Sequence, residues 1–216
     1  MPLYKSILKG YTNTMSNHLI IFDLEATCWE STIPSAQRNE HLVLPIGSPE
    51  WKQQNQMETI EIGAVKVDPK TYNIIDTFQI FIKPVLNPVL TAYCSKLTTI
   101  TQEDVNGAET FRDAYPKFNK WCQGPSFYIG WGAYDRKQLD LDCKRHGLTC
   151  FPKEKYLNGK EEYLKFTGRK GRGLRKAVSH YNLEFEGTQH RAICDAIMTA
   201  KILQCAKNEM TERLKS

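Results

Sequence analysis

Five residues of this chain are of types that could do chemistry together. They are Asp23 and Glu25 in Phe-Asp-Leu-Glu-Ala-Thr-Cys, Asp135 in Trp-Gly-Ala-Tyr-Asp-Arg, and His190 with Asp195 in Gly-Thr-Gln-His-Arg-Ala-Ile-Cys-Asp-Ala. Carboxylates with no matching cation in the surrounding sequence are hard oxygen ligands, suited to small divalent ions. Divalent metal in such a place points to phosphodiester cleavage. A lone histidine is more often surface or satisfied core than catalytic.

The elements that must hold these groups follow from periodicity. His18-Leu-Ile-Ile-Phe22 runs apolar into Asp23-Leu24-Glu25, and side chains alternate along a strand. Asp23 and Glu25 therefore share one face, with Cα atoms about 6.7 Å apart. Like charges held that close drive at least one carboxyl toward its protonated form unless a cation sits between them. No Lys or Arg occurs between Lys9 and Arg38. Phe127–Trp131 reads as a short buried strand, and Asp135 opens an amphipathic stretch that puts Leu139, Cys143 and His146 on one face before Gly147. Taken alone, an Asp at that junction is better explained as a helix N-cap. His190 and Asp195 are too far out of phase to share a helix face. Gly187-Thr188 marks a turn, and Ile193, Ala196, Ile197, Ala200 and Leu203 form an apolar stripe, so His190 belongs to a loop and Asp195 to a helix.

Taken with four further segments, the set resembles the DEDDh-type (DnaQ-like) 3′-5′ exonucleases, in the branch of the histone-mRNA and RNA-interference exonucleases and bacterial KapD-like proteins. Those segments are Glu58-Thr-Ile-Glu-Ile-Gly-Ala-Val, Tyr93-Cys-Ser-Lys-Leu-Thr-Thr-Ile-Thr-Gln102, Trp131-Gly-Ala-Tyr-Asp-Arg136 and Glu186-Gly-Thr-Gln-His-Arg191. The resemblance implies an α/β fold, an RNase H-like mixed central sheet flanked by helices. It implies two Mg²⁺ or Mn²⁺ ions held by Asp23, Glu25, Asp135 and Asp195, His190 as general base, and nucleoside 5′-monophosphates as product. It also implies that Tyr93, Leu97 and Tyr134 sandwich the terminal base while main chain at Ala26 and Thr27 meets the sugar. On composition alone the three apolar side chains would be read as core. Thr99 stands where this branch often has Gly, and Cys194 where it often has Asp. The segment 30–57, with Pro34, Pro45, Gly47 and Pro49, is longer than the usual link between the first two strands.

At 216 residues the chain is expected to hold one exonuclease domain over 18–207, preceded by a polar extension 1–17 and followed by a tail 208–216. Strands are expected at His18–Ala26, Thr59–Asp68, Ile74–Lys83 and Phe127–Trp131. Helices are expected at Thr101–Val105, Phe111–Cys122, Asp135–His146, Leu174–Tyr181 and Ala192–Lys207, and the spacing of Thr101 and Asp104 resembles a capping box. Seven cysteines without a Cys-x-x-Cys pair argue against a disulfide framework or a structural zinc site. That usage, with no long apolar run, points to a cytoplasmic protein with no membrane partner. The net charge of +5 is modest, but Lys165, Arg169, Lys170, Arg172, Arg175 and Lys176 fall in one acid-free, glycine-threaded stretch. Arg169, Lys170 and Arg172 are accordingly expected to meet a phosphate backbone. The expected partner is the 3′ end of single-stranded RNA or DNA. The alternatives to an RNA exonuclease are a single-strand DNA 3′ exonuclease and a non-catalytic regulatory module on the same fold.

Overall fold

A computed structural model of the chain describes residues 18–30, 57–124, 127–170 and 173–215. The segments 1–17 and 31–56, and Arg172, lie outside these residues. Six strands form one mixed sheet in the order β4-β3-β2-β1-β5-β6. They are β1 (Leu19–Ala26), β2 (Thr59–Val67), β3 (Ile74–Lys83), β4 (Glu109–Thr110), β5 (Tyr128–Gly130) and β6 (Tyr156–Asn158). β1, β2 and β3 are antiparallel neighbours, whereas β5 runs parallel to β1 and β6 parallel to β5. The sheet is therefore mixed and flanked by helices, the architecture that the sequence resemblance implied.

Alternation along β1 divides the core in two. Ile20, Phe22 and Leu24 pack with Phe111, Phe118 and Leu139, from α3 (Phe111–Cys122) and α4 (Tyr134–Arg145). Leu19 and Ile21 face the other way, onto Met198, Ile202 and Leu203 of α7 (Ala192–Arg213), with α5 (Gly159–Thr167) and α6 (Leu174–His180) completing that layer. Asp23 and Glu25 continue the α7 side of the strand. A third apolar cluster, Cys28, Ile60, Cys94, Ile100 and Val105, joins the exit of β1 to α1 (Ala92–Thr98) and α2 (Gln102–Asn106).

The expected strands and helices are all present, within a residue or two at every end but the last of α7, and the Thr101–Asp104 capping box closes as expected. α1, α5, β4 and β6 had no counterpart in the sequence reading. α7 also continues to Arg213 rather than stopping at Lys207, so most of the expected tail is helix. Its last turns are retained by long-range contacts: Arg213 donates to the Phe166 carbonyl, and the Tyr181 hydroxyl reaches Glu209 at 3.0 Å. The seven cysteines are free thiols.

Candidate active site

The site lies where the carboxyl ends of β1 and β5 meet the start of α7. Gly63 on β2 is the register partner of Asp23, and it lets α7 lie directly on the strand. A Cβ there would fall 2.0 Å from the Ile193 nitrogen and 2.2 Å from the Ala192 carbonyl carbon. This close approach delivers Asp195, in the first turn of α7, to the face that carries Asp23 and Glu25. Single ligand atoms of Glu25, His190 and Asp195 lie within 4.8 Å of one another.

Asp135 enters from α4. The cap position of that helix is Ala133, so Asp135 is its second residue and is not the N-cap. Its carboxylate instead accepts the Leu24 N–H on β1 and its own N–H. Gly130, the last residue of β5, leaves the space for it, since a Cβ there would stand 3.1 Å from Asp135 Oδ2. The resemblance in sequence thus corresponds to a gathering in space: Asp195 raises the proton affinity of Asp23, Glu25 and Asp135, and Asp135 raises that of Asp23 and Glu25.

Burial is the largest cause of that rise for each of them. Asp23 is pushed well above the usual carboxylate range by burial and then by Asp135, Glu25 and Asp195. Glu25 is pushed up to about 9 by burial, Asp195 and Glu61. Asp135 is pushed to about 7 by burial, against the two backbone hydrogen bonds that pull it down. Asp195 is pushed to about 6 by burial, although the His190 N–H donates to it. Burial moves His190 the other way, below the ordinary imidazole value, so its ring is neutral at pH 7 and free to accept a proton. His190 holds a left-handed backbone (φ 62°) just before the N-cap residue Arg191, outside the helix as its spacing from Asp195 required. Such a conformation is costly for a non-glycine residue and fixes the ring's approach.

Three residues of the site were not singled out from the sequence. Glu61 on β2 is fully buried and accepts Arg191 Nε at 3.1 Å, the Ala192 N–H at 3.1 Å and Gln79 Nε2 at 2.6 Å. It ties the His190 segment and the start of α7 to the sheet, and its charge helps to raise Glu25, Asp195 and Asp23. Lys160 lies near enough to Asp135 to lower its pKa somewhat. Gly63 is the third. Glu61 and Gly63 lie inside the Glu58 segment, where a buried acid within an apolar run was the available signal. Lys160 belongs to α5, and nothing in the sequence marked it.

The expected substrate residues divide into two groups. α1 is pinned to the exit of β1: Thr91 Oγ1 donates to the Cys28 carbonyl at 2.7 Å and caps α1 by accepting the Cys94 N–H at 3.0 Å. Tyr93 on α1 is 39% exposed and Tyr134 at the start of α4 is 46% exposed, so neither is core. Leu97 packs partly into the third cluster. Thr99 takes the left-handed conformation (φ 61°) that favours glycine, so the Gly-to-Thr departure leaves that turn in place. Ala26 and Thr27 are buried beside α1, and the Thr27 N–H is already donated to the Glu58 carbonyl at 2.9 Å. Arg169 and Lys170 lie elsewhere. Arg169 pairs with Glu209 at 2.9 Å, about four turns of α7 or roughly 21 Å from Asp195. The two therefore stand apart from the carboxylate cluster.

A mixed sheet with four acidic side chains and a histidine gathered at the carboxyl ends of its strands defines the class of DEDDh-type nuclease folds. A family model for exonucleases (RNase_T) matches residues 20–203, and the chain belongs to that family. It is 30% identical to the 3′-5′ exonuclease Snipper of Drosophila melanogaster, over 83% of this chain and 66% of that protein. It is 28% identical to the probable 3′-5′ exonuclease KapD of Bacillus subtilis, over 90% of this chain and 86% of that protein. It is also 28% identical to ERI1 exoribonuclease 2 of Danio rerio, over 86% of this chain, but there it spans only about a third (34%) of the relative's length. Among solved structures, the nuclease domain of 3′hExo, a DEDDh family member bound to rAMP, superposes with a TM-score of 0.71. That match is at 24% identity and covers 90% of this chain and 93% of that one.

Proposed function

We propose that this chain is a metal-dependent 3′-5′ exonuclease that removes nucleoside 5′-monophosphates from the 3′ end of RNA. The observation that carries this reading is the orphaned acceptor at its centre: Asp195 Oδ1 is buried with no hydrogen-bond partner, facing a cluster of carboxylates that all resist ionisation. A divalent cation relieves both penalties at once, so the residues fit the Mg²⁺ or Mn²⁺ pair that the family implies.

Asp23, Glu25, Asp135 and Asp195 would hold the ions. When bound, the ions supply activation of water and stabilisation of the leaving 3′ oxygen. His190, neutral at pH 7, takes the proton of the attacking water at its ring nitrogen. The Asp195 carboxylate holds the His190 backbone, and the Glu61–Arg191 pair holds the segment on which the ring stands. Tyr93 and Tyr134 offer exposed aromatic faces for the terminal base, and Leu97 packs partly against the third apolar cluster. Stacking of this kind tolerates any base, as stepwise removal requires.

The test is digestion of matched RNA and DNA oligomers, with free or blocked 3′ ends and with Mg²⁺ or EDTA, by wild type, Asp23→Ala and His190→Ala. The expected result is Mg²⁺-dependent release of 5′-monophosphates from free RNA 3′ ends, lost in both variants. Preference for DNA would select the single-strand DNA alternative. Identical, metal-independent behaviour of all three proteins would leave only a binding module.

A further inference from the structure

The cations at the end of α5 and on α6 converge on a concavity that the catalytic site does not use. A cavity of about 310 Å³ is lined by Tyr163, Arg169, Lys170, Lys176, Ala177 and His180. A second opening, bounded by Gly173, Arg175, Lys176 and Ser179, adjoins it through Lys176. Neighbouring cations are neutralised one by one: Lys165 by Glu162, Arg169 by Glu209, Lys201 by Glu186 and Lys215 by Glu212. No described acid pairs with Lys170, Arg175 or Lys176, although all three are exposed. Other exposed cations, Lys96, Arg112 and Lys120 among them, also lack an acidic partner among the described residues, and what marks this place is that several line one concavity. Three unmatched cations around a concavity of this size favour an anion carrying several charges.

We propose that this basic concavity is an exosite for the phosphodiester backbone of the substrate strand, upstream of the nucleotide being removed. The proposal rests on the exonuclease reading and names how that enzyme holds long substrates. Arg169, anchored to Glu209, sets the distance between the two places at roughly 21 Å along α7. A stacked strand rises about 3.4 Å per nucleotide, so the exosite meets phosphates about six nucleotides from the 3′ end. A strand shorter than that occupies the catalytic site alone. Affinity then grows with length up to that point and depends steeply on salt only beyond it.

The experiment measures binding of a fluorescent RNA 20-mer and, by competition, a trinucleotide in EDTA, where no cleavage occurs. Wild type is compared with Arg175→Ala/Lys176→Ala and with Arg112→Ala/Lys120→Ala, a control pair on α3 across the sheet. The exosite pair is expected to weaken the 20-mer on the order of tenfold, to flatten its salt dependence by about 1.4 in the log–log slope, and to leave the trinucleotide within about twofold. The control pair should match wild type. Equal 20-mer affinity for wild type and the exosite pair overturns the proposal. So does displacement of the 20-mer by inorganic phosphate or AMP as effectively as by longer strands, which would mark a site for free anions. Turnover of the trinucleotide by wild type in Mg²⁺ is read on the same preparation. If it is absent while the length-dependent binding responds as expected, the catalytic reading fails and the exosite stands. If it is present and the exosite pair binds normally, the reverse holds.

Discussion

Replacing Gly63 with alanine asks whether close helix–sheet contact is what assembles the site. The new Cβ would lie 2.0 Å from the Ile193 nitrogen, where ordinary contact begins near 3.4 Å, so α7 would have to withdraw by about 1.4 Å. The obstacle is backbone on both sides, which leaves no flexible side chain to yield. Overpacking of this kind costs about 1–3 kcal/mol, a loss that a domain of this size tolerates. Catalytic groups are less forgiving, because a misplacement of about 1 Å costs on the order of a hundredfold in rate. Asp195 and His190 ride with the start of α7, whereas Asp23 and Glu25 stay on β1. Gly63→Ala should therefore remain folded by far-ultraviolet circular dichroism, unfold at lower urea, and lose about a hundredfold in Mg²⁺-dependent turnover. Activity within twofold of wild type in a folded variant would refute the argument that this contact positions the site.

The carboxylates have folded pKa values above their unfolded ones, so their contribution to stability is full below about pH 4 and is lost as pH rises through the folded values, about 6 for Asp195, 7 for Asp135 and 9 for Glu25. In EDTA the melting temperature should fall between about pH 6.5 and 8.5, and Mg²⁺ should flatten that fall; a rise with pH in EDTA would contradict it. Glu61→Gln strands the Arg191 guanidinium and should cost about 3 kcal/mol in urea unfolding while lowering kcat more than it raises KM, because Glu61 orients the His190 segment without reaching the substrate. Tyr93→Ala and Tyr134→Ala should each raise KM about tenfold with little change in melting temperature, since both rings are exposed; unchanged KM would remove them from the base site.

What the sequence disclosed, and what it withheld, follows from the range of each signal. The alternation that put Asp23 and Glu25 on one face, and the phase mismatch that moved His190 off the helix of Asp195, are local rules that survive folding. α1 and α5 are short, seven and nine residues, and neither opens on a capping box like the Thr101–Asp104 pair that marked the still shorter α2. The last turns of α7 depend on Phe166, Arg169 and Tyr181, contacts invisible to a local window. Asp135 could be read locally as a cap, and only the backbone of Leu24 reveals its other use. Glu61 was hidden by its company: a carboxylate in an apolar strand becomes intelligible once Arg191, far along the chain, is seen to reach it.

Direct titration with Mn²⁺, followed by electron paramagnetic resonance of the free ion, tests the central claim that four carboxylates gather to hold divalent metal. Wild type should take up two ions per chain, and Asp23→Asn and Asp195→Asn should each lose at least one while keeping the fold. Equal uptake by all three proteins, or none by wild type, would contradict it.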